Sequence, residues 1–80
     1  MAVTRVSVTR NGVQDDVRFF RTKEKARQYA DQVERDFMEA FHNDPSMHIV
    51  DLSSKISLRT GNHTICRELS NGDRIEILLA

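Results

Sequence analysis

The sequence predicts an α+β fold, a two-layer β-β-α-β-β-β domain spanning residues 1–80, in which an antiparallel sheet of about five strands carries one helix on one face. Three observations predict it. Thr22 to His42 has its apolar residues at helical spacing. Every other apolar run alternates with period two, the signature of half-buried strands. Gly12, Gly61 and Gly72 each adjoin an asparagine and each separates two such runs, as turn residues do.

The first two runs are Val3 to Thr9 and Val13 to Phe20, with Asn11-Gly12 between them. A two-residue turn there needs positive φ at both positions, which Asn and Gly tolerate best. It would pair Val6 with Val17, Thr4 with Phe19 and Val8 with Asp15. One face then carries Val6, Val8, Val17 and Phe19, and only Asp15 is out of place. On the other face Arg5 stands opposite Arg18, with Val3 and Phe20 as the next outward pair. Like charges directly opposite destabilise a hairpin, so this pair is an anomaly that a binding role would explain.

The helix is next. Ala26, Tyr29, Ala30, Val33, Phe37, Ala40 and Phe41 fall in a stripe of roughly 120°, opposite Arg27, Gln28, Asp31, Glu34, Arg35 and Glu39. Thr22 is a suitable N-cap. Asn43-Asp44-Pro45 stops the helix, because the residue before proline is pushed out of helical geometry. Val33, Phe37 and Phe41 are the expected anchors, and Phe37→Ala is expected to cost about 3–5 kcal/mol. The charges oppose the helix dipole. Lys23, Lys25 and Arg27 crowd the positive end, while Asp36, Glu39 and Asp44 lie toward the negative one.

After Pro45, His48, Val50, Leu52, Ser54, Ile56 and Leu58 share one face of a long strand, continuous or bulged at Ser53-Ser54. A tight Gly61-Asn62 turn into Thr64–Leu69 would set Leu58 opposite Ile65. At Ser70-Asn71-Gly72-Asp73 a two-residue turn would put Ile75 and Ile77 on the wrong face. A three-residue loop with Gly72 left-handed brings Ile65, Leu69, Ile75, Ile77 and Leu79 to one side and is preferred. The pattern leaves the strand order open.

Composition bounds the function. The formal net charge is zero and the pI about 6.8, which argues against a dedicated nucleic-acid binder. Residues 1–30 nevertheless hold seven basic against three acidic side chains, and residues 31–80 five against nine. The single cysteine excludes an internal disulfide framework. Met1 to Arg10 has no apolar run, so a cytoplasmic protein without a membrane partner is expected. His42, His48, His63 and Cys66 are scattered, and neither zinc-ligand spacing nor a phosphate loop is present. No enzyme activity, cofactor or metal is therefore expected.

The expectation is a non-enzymatic protein-binding module, a small regulator or inhibitor of the size and composition seen in phage- and plasmid-borne proteins. Its partner would be another protein or a ribonucleoprotein, met by Arg5, Arg18, Phe20, Arg21, Lys23 and Lys25. The alternative is a small nucleic-acid-binding protein using the same basic surface. Exposed strand edges could also support a homodimer.

Overall fold

A computed structural model describes residues 3–80, and Met1 and Ala2 of the N-terminal reading lie outside it. The elements are β1 (Thr4–Arg10), β2 (Val13–Phe20), α1 (Lys23–Asn43), β3 (Ile49–Ile56), β4 (His63–Leu69) and β5 (Arg74–Leu79). The five strands form one antiparallel sheet in the order β2-β1-β5-β4-β3, with the helix on one face. This is the two-layer α+β architecture that the periodicities predict.

The core lies between α1 and the middle of the sheet. Val6 and Val8 of β1, Ile75, Ile77 and Leu79 of β5, and Ile65 of β4 pack with Ala26, Ala30 and Val33 of the helix. Leu69 of β4 is also sealed from water. The three-residue loop at Ser70–Gly72 forms as expected. Leu69 N–H donates to Asp73 O at 2.9 Å, Gly72 has φ +93°, and Ile65, Leu69, Ile75, Ile77 and Leu79 are all buried on the helix side.

The helix begins one residue after Thr22, whose hydroxyl accepts from Lys25 N–H at 3.2 Å. At the far end the Asp44 carboxylate accepts from both the backbone and the hydroxyl of Ser46. Its stripe is shifted from the expected one. Ala26, Ala30, Val33 and Met38 are buried, Tyr29, Phe37 and Phe41 are half-buried, and Ala40 is exposed. Glu34, one turn before Met38, reaches Arg67 of β4, so this flank of the helix faces β4. Because Phe37 keeps part of its ring in water, the expected loss for Phe37→Ala falls to about 1–2 kcal/mol.

The first hairpin departs from its expected register. Asn11 and Gly12 have φ of +52° and +82°, and Arg10 pairs with Val13 and Thr9 with Gln14 as the two-residue turn requires. Between Val8 and Thr9 the register then shifts, and Asp15 is the extra residue of a β-bulge. Beyond it Val6 pairs with Arg18 and Arg5 with Phe19. Arg5 and Arg18 therefore lie on opposite faces of the sheet, not side by side. Val17 and Phe19 turn away from the core, Phe19 with 66% of its surface exposed. Phe20 turns inward onto Tyr29 of α1, ring centroids 5.4 Å apart.

The β3–β4 connection also differs. Ser57 N–H donates to Asn62 O and Gly61 N–H to Ser57 O, so the loop spans Leu58 to Gly61 and Ile65 faces Ser54 instead of Leu58. The hydroxyls of Ser57 and Thr60 cap this wider loop from within. Leu58 stands wholly in solvent. The bulge in β3 falls at Val50, where Ile49 pairs with Leu69 and Asp51 with Glu68, and not at Ser53-Ser54.

Two further features position the surfaces. The helix leans on β1, β5 and β2 and leaves β3 largely uncovered. The central pairing of β1 with β5 joins distant parts of the chain. The Asn11 side chain accepts from Arg74 N–H at 2.8 Å, 63 residues away, and Arg5 exchanges backbone hydrogen bonds with Ala80.

Candidate functional site

The strand ladders decide which charged groups share an end of the molecule. Thr4 lies beside Phe20, and Leu79 lies between Val6 and His63, which in turn pairs with Ile56. The start of β1 and of β4, the ends of β2, β3 and β5 and the start of α1 therefore meet at one end. That end carries Arg5, Arg21, Lys23, Lys25, Arg27 and Arg59, with Glu24 as the opposing acid. The other end carries Asp15, Asp51, Glu68, Asp73 and Glu76 with Arg10 and Arg74 as the opposing bases, and the second half of α1 adds Asp36, Glu39 and Asp44 against Arg35. The uneven charge of the two parts of the sequence becomes a charge separation along the molecule.

The basic side chains fall into two groups. Arg10 is bridged to Asp15 at 3.0 Å, Arg18 to Asp16 at 2.9 Å and Arg67 to Glu34 at 3.1 Å. Arg74 gathers Asp51, Glu68 and Glu76 on the open face of the sheet, at 3.4, 2.9 and 3.0 Å. Eight basic residues bridge to no carboxylate among the described residues: Arg5, Arg21, Lys23, Lys25, Arg27 and Arg59 at this end, Lys55 on β3 and Arg35 in the second half of α1. All eight are exposed. Lys23 and Arg27, one helical turn apart, line one wall of a cleft of about 180 Å³ whose other wall is Thr60, Asn62 and His63 from the β3–β4 loop.

Of the six residues expected at a contact surface, Arg21, Lys23 and Lys25 are brought together at the helix start. Arg5 belongs to the same end but to the opposite face of the sheet. Phe20 is half-buried against the helix, and Arg18, though 59% exposed, is engaged by its neighbours. The Arg18 guanidinium lies 4.7 Å above the Tyr29 ring while bridging Asp16, and the Tyr29 hydroxyl donates to the same Asp16 carboxylate. These hydrogen bonds, from Tyr29 first and Arg18 second, hold the Asp16 carboxyl below its usual range. Desolvation, and then Asp16, push the Tyr29 phenol up. The four side chains Asp16, Arg18, Phe20 and Tyr29 fasten β2 to the helix, which accounts for them without a ligand. Arg27 is not among the expected contacts, although its place on the polar helix face one turn after Lys23 signals it.

A second surface escaped the sequence. On the helix side of the sheet, Leu52 and Ile56 of β3 are 61% and 62% exposed, because the helix lies over the other strands. Arg67 of β4, paired with Leu52, occupies the space between. Its side chain, 13% exposed, donates to Ser53 O, Cys66 O and Glu34 Oε2. The spacing Ile65-x-Arg67-x-Leu69 announces an inward arginine.

His63 and Cys66 point to opposite faces of the sheet, His63 beside Ile56 and Leu79, Cys66 beside Ser53 and Glu76, so the two cannot act together. His48 precedes β3 at the rim, exposed, with its N–H donated to the Ser70 hydroxyl. Among the described residues no helix is long and apolar enough to cross a membrane. Comparison with protein-family models, with curated proteins and with solved structures finds no match to this chain.

Proposed function

We propose that the protein is a non-enzymatic binding module, a small regulator or inhibitor, that engages an acidic surface of another protein through Arg21, Lys23, Lys25 and Arg27, with Arg5 adding to the field. One observation carries this reading. The arginines that brace the fold are each held by a carboxylate, while the basic residues of this end are left without one. They also sit where they weaken the helix, since a cation near a helix start costs a few tenths of a kcal/mol. An arrangement that costs stability and leaves charge open to solvent suits electrostatic steering of a partner. The acidic far end favours a protein over nucleic acid, because a phosphate backbone running along the molecule would meet Asp36, Glu39 and Asp44.

Lys23→Glu with Lys25→Glu tests the proposal. Both side chains are exposed, so the variant is expected to fold and to gain about 0.5–1 kcal/mol from the helix dipole. It is also expected to lose the proteins that the parent chain captures from nuclease-treated host lysate. Capture that survives in the folded variant refutes the contact surface. Capture that disappears with nuclease, with affinity for DNA falling by a log–log salt slope near −0.9 per phosphate, establishes the nucleic-acid alternative instead.

A further inference from the structure

The edge strand β3 combines three properties that a second copy of this chain satisfies together. The first is open backbone. Ser57 N–H points to β4, bonded to Asn62 O at 2.8 Å, so by alternation Leu52, Ser54 and Ile56 turn their N–H and C=O groups away from the sheet. The second is uncovered apolar surface on one face of that edge, at Leu52 and Ile56. The third is charge. β3 runs from the acidic end of the molecule, at Asp51, toward the basic end, at Lys55. A lysine in an edge strand ordinarily discourages pairing. Antiparallel pairing of two β3 strands, however, sets each basic end against the partner's acidic end.

We propose that two copies associate through antiparallel pairing of β3 with β3 about a two-fold axis at Ser53, forming a continuous ten-stranded sheet. In this register Lys55 of each copy lies directly opposite Asp51 of the other, on the open face. Leu52 meets Ser54 of the other copy, with Ile56 of each strand beyond it, so Leu52 and Ile56 of both copies join into one strip on the helix side, and the bulge at Val50 ends the ladder. The interface is isologous and closes on itself, so it stops at the dimer. The other edge, β2, does not offer this. Its helix side is closed by Phe20 and Arg18 packing on Tyr29, so it has no uncovered apolar strip there. The surface is separate from the basic end proposed to meet a partner, and neither reading depends on the other.

Sedimentation equilibrium of the full chain over about 1 µM to 1 mM is expected to show a reversible monomer–dimer equilibrium. Lys55→Glu turns both charge pairs repulsive and is expected to raise the dimer dissociation constant about tenfold. Ser54→Pro removes an outward N–H and is expected to abolish the dimer. Circular dichroism establishes that each variant is folded. Because Ser54→Pro could unfold β3, Ser53→Cys in a Cys66→Ser background gives an independent readout. Cys66 lies opposite position 53 in its own chain and would otherwise compete for the new thiol. Residues at the axis would have Cα atoms about 4.5 Å apart, so oxidation is expected to yield a covalent dimer. A parent chain that stays monomeric to 1 mM overturns the proposal. So does a dimer indifferent to Lys55→Glu, or a Ser53→Cys variant whose new thiols do not cross-link.

Discussion

Beneath α1, strands β2, β1 and β5 are closed by side chains that exclude water: Val6, Ile75 and Ile77 have no exposed surface, and Phe20 packs on Tyr29. Beside it, β4 and β3 are held by another chemistry. There Arg67 fills the helix side of β4 with its guanidinium bonded to two carbonyls and to Glu34, and Arg74 ties β5, β4 and β3 together across the open face through three carboxylates. One helix cannot cover five strands. The half it covers can be apolar, and the half it leaves must be braced by charge or by a partner. Apolar burial and charge thereby hold different parts of one sheet.

The largest effect expected to sharpen this contrast is in the covered half. Ile77→Ala removes a fully buried side chain at the centre of the sheet, and urea denaturation should show a loss of about 3–4 kcal/mol. Arg67→Ala comes next, with an expected loss of about 1–2 kcal/mol, since Glu34 stays partly solvated when its partner is removed. Leu52→Ala, on the uncovered strand, should cost under about 1 kcal/mol in dilute solution, where its side chain already meets water. Equal losses at Ile77 and Leu52 would erase the distinction between the halves.

The smallest expected effect is that of pH. Asp16 has a folded pKa below its unfolded value of about 3.9, so its contribution is complete above that value. The contribution disappears as pH falls through the lower folded pKa. Tyr29, raised above about 10, contributes fully below that value and loses its contribution as pH climbs past it. Thermal melts from pH 2 to 11 should therefore show an acid limb that moves to higher pH in Tyr29→Phe, and an alkaline loss that the same variant lacks. Unchanged limbs would detach Tyr29 from Asp16.

Much of this architecture is legible in the residues. The helix, its Thr22 cap, the Asn11-Gly12 turn and the three-residue loop at Gly72 all follow from local chemistry that tertiary packing does not override. The register of β1 with β2 follows only as far as Asp15. That residue is the single misfit in an otherwise consistent alternation, and the chain removes the misfit by bulging there. The cost of the bulge is offset by Phe20, Arg18 and Asp16 turning toward Tyr29, a contact between segments that period-two counting does not weigh. The β3–β4 loop escaped for a related reason. Ser57 and Thr60 close a longer turn through their hydroxyls, where a glycine next to an asparagine suggests a short one. The candidate site is readable at Arg21, Lys23 and Lys25, because a capped helix start fixes their position. It is unreadable at Arg5 and Arg18, whose placement depends on one inserted residue.

The union of β1 with β5 has a kinetic consequence. Each hairpin can form from neighbours in the chain, but the middle of the sheet is sealed by segments as far apart as Asn11 and Arg74. The entropy of closing so large a loop must be met before the most buried contacts reward it, and topologies of this kind fold in about milliseconds to seconds. Without that junction each half of the sheet keeps an unpaired edge, so the sheet is whole only when both ends of the chain have met.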